Sequence, residues 1–289
     1  MIYEGDVYRP PSEANSLIIQ LTIGCANNTC RFCAMYKRKQ FRVRKLDSVI
    51  ADLHWVKQYY PYRFDRVFLA DGDALIVKTP DLITILDKIF EIFPHTERVT
   101  IYGTAKDVLR KSHEELCQLR EHGLEMVYIG AESGSDKVLR DIDKRVTAAE
   151  TIEACLKLKA AGIKVSMTLI TGLGGLADSR EHAIESAKLV SAAKPEYLGL
   201  LTLNLEPDAP IYEDYVSGKF EALSPFGDLE EQKLFLENVD SEGTVLRSNH
   251  VSNYVSLSGT LNRDKERMIA QLDAAITSGR IRPERYRRL

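Results

Sequence analysis

Apolar residues along the chain fall into two kinds of run. Residues 16–23, 66–70, 98–103, 126–129, 164–170 and 197–203 are short, rich in β-branched and aliphatic side chains, and bounded by polar or glycine-containing segments. Such runs predict buried strands. Between them, residues 46–60, 80–93, 148–161 and 179–193 carry apolar side chains at three-to-four spacing, which predicts helices. The strand starts lie about 30–50 residues apart, room enough for a right-handed helical crossover between parallel neighbours. The pattern predicts an α/β fold: a partial (βα)6 barrel with parallel strands over residues 16–203. Two further units of a full eight-stranded barrel are not evident beyond it. Residues 204–289 instead offer proline-containing loops, helices at 229–239 and 263–278, and a short strand at 244–247. They are expected to form a C-terminal α/β extension that closes the barrel and contacts substrate, and residues 1–15 an N-terminal extension.

Composition narrows the class. With 289 residues the chain holds one large or two modest domains, and 44% hydrophobic and 28% charged residues are those of a globular protein, neither collagenous nor disordered. The formal charge of −3 hides an arginine-rich end: residues 280–289 carry Arg280, Arg282, Arg285, Arg287 and Arg288 against Glu284. The rest of the chain is acidic, so bulk nucleic-acid binding is not indicated, and the tail is expected to be solvated. No basic leader followed by an apolar stretch opens the chain, and no window approaches the roughly 18 apolar residues of a membrane span. A cytoplasmic protein without membrane partners is expected.

Five cysteines are too few for a disulfide scaffold, and three of them crowd into Cys25-Ala-Asn-Asn-Thr-Cys30-Arg-Phe-Cys33, directly after the first strand. A C-x4-C-x2-C loop can wrap one metal centre. A structural zinc site wants a fourth ligand, and the nearest histidine, His54, lies inside a predicted helix. A [2Fe–2S] centre shares the spacing but needs a fourth cysteine, and the next, Cys117, is 84 residues on. The third reading is a [4Fe–4S] cluster on three thiolates, with one iron left open to substrate or cofactor. Cys117 and Cys155 sit on helical patterns and read as core residues.

Ligands of parallel βα folds bind at the carboxyl ends of the strands, and polar motifs follow several of them. Asp71-Gly72-Asp73 sets a glycine between two carboxylates, a cation-binding turn or an ordinary Asx turn. Glu132-Ser133-Gly134-Ser135 offers a carboxylate and hydroxyls, for a ligand or for a helix cap. Thr171-Gly172-Leu173-Gly174-Gly175 lets a ligand approach the backbone but lacks the dinucleotide-binding pattern.

Taken together these residues resemble the radical S-adenosylmethionine (SAM) superfamily, in particular the branch containing anaerobic coproporphyrinogen oxidase, methylthiotransferases and Elongator-type enzymes. The likeness covers roughly residues 16–203, and the stretch from Glu132 to Leu139 is especially close to that branch. The family is known for a partial (βα)6 barrel and a C-x3-C-x2-C loop; this chain carries one extra residue between its first two cysteines. The resemblance implies that Cys25, Cys30 and Cys33 hold a [4Fe–4S] cluster, with Phe32 as the usual aromatic before the third cysteine. It further implies that Asp71, Gly72 and Asp73 replace the motif for the methionine amino group of SAM. Glu132 would hold the ribose hydroxyls, Ser133 and Lys144 the carboxylate, and Gly172 would lie near the adenine edge. The implied enzyme is oxygen-sensitive: it cleaves SAM reductively to a 5′-deoxyadenosyl radical that abstracts hydrogen from a substrate, with an electron from a low-potential donor such as flavodoxin or ferredoxin.

The substrate is not fixed by this core. Lys37, Arg38, Lys39, Arg42, Arg44 and Lys45 place six cations in nine positions, a site for phosphate, carboxylate or RNA, or else a solvated face or a patch for an acidic electron donor. The loop from Arg247 to Tyr254 is polar and offers His250 and Tyr254 as substrate-side candidates. Two other functions compete: a [2Fe–2S] electron-transfer protein, and an RNA-binding or RNA-modifying protein using residues 37–45, whose affinity would fall steeply with salt.

Overall fold

The computed structural model describes residues 3–60 and 62–287; Arg288 of the arginine-rich end lies outside them. The strands are β1 (Leu17–Gln20), β2 (Thr22–Ile23), β3 (Arg42–Val43), β4 (Arg66–Ala70), β5 (Arg98–Gly103), β6 (Leu124–Glu132), β7 (Lys164–Thr171), β8 (Tyr197–Thr202), β9 (Val245–Ser248) and β10 (Leu257–Thr260). The helices are α1 (Leu46–Tyr59), α2 (Thr79–Ile92), α3 (Ala105–Arg110), α4 (His113–Glu121), α5 (Asp136–Asp141), α6 (Ala148–Ala160), α7 (Gly175–Ala193), α8 (Pro210–Val216), α9 (Pro225–Asn238) and α10 (Lys265–Ser278). Eight strands form one sheet in the order β1-β4-β5-β6-β7-β8-β9-β10. The six parallel strands of the sequence pattern are all present, and the fold is α/β.

The chain divides into two compact units, one made of Met1–Asn28, Met35–Ile129 and Leu156–Val165, the other of Thr29–Ala34, Gly130–Cys155 and Ser166–Leu289. In the first, β1, β4, β5 and β6 pair in parallel, for example Leu17 with Val67, Val67 with Val99 and Ile101 with Val127. Val67, Phe68, Leu69 and Ala70 are wholly buried, as a continuous apolar run requires of a parallel strand covered on both faces. Helix α2 opens with Pro80 in its first turn and buries Leu82, Ile85, Leu86, Ile89 and Ile92, one face at three-to-four spacing. Each such side chain contributes about 1.5–3 kcal/mol. Helices α3 and α4 start on capping boxes, Thr104 with Asp107 and Ser112 with Glu115.

The first apolar run, 16–23, does not make one strand. It breaks at Leu21, whose amide still donates to the Ala70 carbonyl at 2.6 Å while its carbonyl accepts from Arg44. The next two residues leave the sheet and pair antiparallel with β3.

In the second unit, β7, β8 and β9 are parallel and β10 closes the edge antiparallel to β9. Residues beyond 203 thus extend the sheet by two strands, where the hydropathy pattern showed only one. The C-terminal arginines also differ from the solvated tail expected. Arg282 donates to the carbonyls of His250, Val251 and Asn253 at 2.7–3.0 Å. Arg287, buried, donates to the carbonyls of Ser252 and Leu203 and stacks 3.8 Å over the Tyr254 ring. Two guanidiniums therefore fix the path of residues 250–254.

The interior of this unit is polar where α7 and α9 pack together. Asp228 accepts from Thr171 at 2.5 Å, Thr202 at 2.9 Å and Gln232 at 2.8 Å. Glu231 accepts from the Gly172 amide at 2.7 Å and from Ser179 at 2.5 Å. His182 Nε2 faces the Ile170 carbonyl at 3.0 Å and its Nδ1 faces Ser133 Oγ at 2.7 Å; because only an N–H can serve the carbonyl, Nδ1 accepts from the serine. A cavity of about 10 Å³ beside His182 and Glu231 is too small for more than one water. Burial pushes Asp228 up to about 6 and Glu231 up to about 7, and lowers His182 to about 4.

Both acids are raised, so their contribution to stability is complete below the unfolded values of 3.8 and 4.5 and is lost as pH rises through about 6 and 7. His182 acts in the opposite sense, its contribution present above 6.5 and lost as pH falls through about 4. Glu231→Gln keeps an acceptor for Gly172 and removes one titration. Between pH 5 and pH 8 urea unfolding should show this variant gaining about 2 kcal/mol relative to the unaltered protein; a difference independent of pH would mean that Glu231 ionises normally.

Candidate functional site

The cysteine loop begins where β2 ends, and the turn after β4 holds its start. Asp71 is fully buried, and its Oδ2 accepts from the Gly24 amide at 2.9 Å, Lys39 Nζ at 2.8 Å and Gln20 Nε2 at 3.3 Å. A buried carboxylate is tolerable only with such donors around it. Gly72 follows because nothing larger fits: a Cβ there would lie 2.5 Å from the Tyr36 ring and 2.9 Å from Cys25 Cβ. Asp73 accepts from the Ala26 amide and is hydrogen-bonded to Asp107; burial first, then the bond and charge of Asp107, push its carboxyl up to about 9. Asp71 Oδ1 and Asp73 Oδ1 are both buried without a protein partner.

Further along the loop, Asn28 Nδ2 donates to the Tyr36 carbonyl at 2.6 Å and Lys37 Nζ to the Asn28 carbonyl at 2.9 Å. Thr29 Oγ1 reaches the Asp143 carbonyl, the Arg31 amide that of Ile142, and the Cys33 amide that of Cys30 at 3.4 Å. Phe32 packs on Val138, Leu139, Ile142 and Leu173. Cys25, Cys30 and Cys33 form no disulfide, with Cys30 buried and the others half-buried. Among the described residues no three His, Cys, Asp or Glu side chains are gathered closely enough to hold a metal in common. Thiolates are soft donors whose chemistry suits iron.

At the end of β6, Glu132 adopts a positive φ of 66° and pairs with Lys144 at 2.7 Å, across Gly130, where a Cβ would collide with the Glu132 carboxylate. Ser133 is wholly buried, its Oγ shared by His182 Nδ1 and the Ser135 amide. A Cβ on Gly134 would fall 2.1 Å from the Glu185 carbonyl, so the loop lies directly on α7. Gly172 follows β7 at φ 84° with no heavy atom closer than 3.6 Å to where a Cβ would stand.

The remaining candidates are engaged locally. His250 Nδ1 bonds Ser252 Oγ at 2.8 Å, and burial followed by the Arg282 charge lowers its pKa. The Tyr254 hydroxyl is bonded to Glu284 and Arg287, and burial raises it. The 37–45 stretch is less available than its composition suggests. Lys39 is spent on Asp71, Arg44 on Asp52 at 2.8 Å and on the Gln20 carbonyl, and Arg42 on Glu4. Cys155 is buried, and Cys117 is half-buried on α4 with Sγ 3.5 Å from His113.

Residues outside the strand-end motifs and the cysteine triad also enter. Lys39 and Tyr36 shape the start of the cysteine loop, and Asp107 closes on Asp73; Asp228, Glu231 and His182 surround Gly172 and Ser133. Asp228 and Glu231 carried no distinct signal, since they lie in a helix with two further acids, Glu230 and Glu237, and share their buried side with Gln232.

No helix among the described residues is long and apolar enough to cross a membrane. The profile of the radical SAM superfamily matches residues 19–187, more than half of the chain. Over 188 residues the chain is 25% identical to the threonylcarbamoyladenosine tRNA methylthiotransferase MtaB of Rickettsia prowazekii (strain Madrid E), covering 62% of this chain and 43% of that protein. It spans 37–62% of the length of the curated relatives it matches. Among solved structures it is similar to methylornithine synthase (PylB), with a TM-score of 0.54, 17% identity and coverage of 94% and 83% of the two chains. It is also similar to coproporphyrinogen III oxidase (HemN) from Escherichia coli, with a TM-score of 0.58, 16% identity and coverage of 77% and 52%. The sheet, the cysteine loop and the profile agree: the chain belongs to the radical SAM superfamily, whose cofactors are a [4Fe–4S] cluster and SAM.

Proposed function

We propose that this chain binds a [4Fe–4S] cluster through Cys25, Cys30 and Cys33 and uses it with SAM to abstract hydrogen from a substrate. When bound, the two cofactors supply a one-electron cleavage of the sulfonium carbon–sulfur bond to methionine and a 5′-deoxyadenosyl radical, the electron coming from a low-potential donor such as flavodoxin or ferredoxin. The observation that carries the reading is the pair of buried, unpartnered oxygens on Asp71 and Asp73, in the turn packed against Cys25. Orphaned acceptors of this kind are costly unless a ligand supplies donors, and the ammonium group of SAM has three.

Each of the other residues has a defined task. Lys144 neutralises the SAM carboxylate, and Glu132, held in place by that lysine, accepts from the ribose hydroxyls. Ser133, its hydroxyl taken by His182 and Ser135, shapes the loop that presents Glu132. Gly172 leaves the strand end open for the adenine edge, its amide fixed by Glu231. Phe32 shields the third cysteine from water. A closed, ordered site matters because a primary carbon radical takes hydrogen from C–H or S–H groups that come within reach, so only the intended one is left there. The engaged cations of residues 37–45 favour this over an RNA-binding surface there, and the absence of a nearby fourth cysteine disfavours a [2Fe–2S] carrier.

Purified without oxygen, the protein should be brown, absorb broadly near 400 nm, and hold about four irons per chain. With dithionite it should convert SAM to 5′-deoxyadenosine. Cys25→Ala, Cys30→Ala and Cys33→Ala should each lose the colour, whereas Cys117→Ala should keep it; a colourless, zinc-loaded protein would sink the proposal. Glu132→Ala should weaken SAM binding about tenfold, roughly 1.4 kcal/mol, by equilibrium dialysis of the reconstituted protein.

A further inference from the structure

The turn after β4 does more than line a ligand pocket. Its two carboxyls take the two peptide N–H groups that flank one cysteine: Asp71 Oδ2 accepts from Gly24, and Asp73 accepts from Ala26. Between these bonds stands Cys25, with Gly72 packed on its Cβ so closely that a single methyl group could not be inserted. We propose that Asp71 and Asp73 are positioning residues that bracket the Cys25 peptide and aim its thiolate before any cluster is present. The proposal rests on Cys25 being a cluster ligand only for its consequence; the bracket itself belongs to the apoprotein.

Each arm of the bracket is braced from behind. Asp71 is held by Lys39, whose ammonium also reaches the Asp6 carbonyl, and by Gln20 at the end of β1. Asp73 is held by Asp107, which is itself locked into the first turn of α3 by the Thr104 capping box. Side chains fixed in this way transmit their geometry to the group they hold. The bracket also bears on the unusual loop length. Gly24 and Ala26 are tied immediately around Cys25, and Asn28 is tied to the Tyr36 carbonyl. Of the four residues between Cys25 and Cys30, the first is thus pinned by the bracket and the third by Tyr36.

A second effect concerns the sulfur. Amide N–H groups near a cluster thiolate commonly donate to it, and such bonds help set the cluster's potential. With the amides on either side of Cys25 turned to carboxyl oxygens, those two donors are withdrawn from its sulfur. The bracket thus fixes both the direction and the hydrogen bonding of one ligand.

The test uses the full-length apoprotein, so it stays separate from cluster assembly and SAM cleavage. Iodoacetamide labelling of each cysteine is timed by peptide mass spectrometry, with Cys117 as the internal reference. Asp71→Ala should accelerate Cys25 labelling about tenfold with Cys117 unchanged, and Asp71→Asn, which keeps an acceptor for Gly24, should recover most of the protection. Asp73→Ala should act like Asp71→Ala. Cys25 rates unchanged in both alanine variants would overturn the bracket. Should those variants fail to fold, amide exchange in the unaltered apoprotein decides. Gly24 and Ala26 amides protected about a hundredfold relative to an unstructured peptide of the same sequence support it, and exchange at the peptide rate overturns it. If labelling behaves as expected while the reconstituted protein binds no iron, the bracket stands and the proposed function falls.

Discussion

A carboxylate with no exposure to water dominates the first unit. Asp71 Oδ2 gathers the end of β1 through Gln20, the start of the cysteine loop through Gly24 and the strongly basic segment through Lys39. Burying a carboxyl group is unfavourable unless hydrogen-bond donors surround it, so these three segments are constrained to meet. The close approach of Gly72 to Cys25 follows from the same requirement, because the turn carrying Asp71 must lie against the loop it anchors. Local sequence then serves this constraint: a glycine where no side chain fits, and a lysine whose charge is spent inward.

The second unit is organised by a different arrangement. Its interior contains Asp228, Glu231 and His182, each hydrogen-bonded on several sides, with the acids raised and the histidine lowered by burial. Neutral forms of all three are the ones the interior accommodates best. Their partners include Thr171, Gly172 and Thr202, which lie at the carboxyl ends of β7 and β8, and Ser133, just beyond β6. The ends of three strands are thereby held by side chains from α7 and α9, which keeps the loops that follow from drifting.

Strands β4 and β5 are readable in the sequence to the residue, because Val67–Ala70 is a continuous apolar run and Val99–Tyr102 is β-branched and aromatic throughout, each opened by an arginine. The break at Leu21 is not readable, since apolar residues recur from 17 to 23 on both sides of Gln20, and only the pairing of Thr22 and Ile23 with β3 takes the chain out of the sheet. Strand β10 escapes for the converse reason: Leu257–Thr260 pairs at an edge and buries little. In the candidate site, the placement of Asp71, Glu132 and Gly172 at strand ends follows from the βα alternation. Their partners do not. The pairing of Lys39 with Asp71 spans 32 residues and that of Glu231 with Gly172 spans 59, and charge composition alone suggests a solvated face for the first. Long-range pairing of polar groups is set by tertiary packing, which has no periodic signature in one sequence.

The grip of Arg282 and Arg287 on residues 250–254 acts almost wholly on main-chain carbonyls. Side chains of the loop add to that hold: buried Asn253 accepts from the Thr202 amide and donates to the Leu200 carbonyl, His250 is bonded to Ser252, and the Tyr254 hydroxyl to Glu284 and Arg287. The course of this stretch is thus written into main chain and side chains together, so that exchanging Asn253 or Tyr254 costs the loop its path as well as its surface.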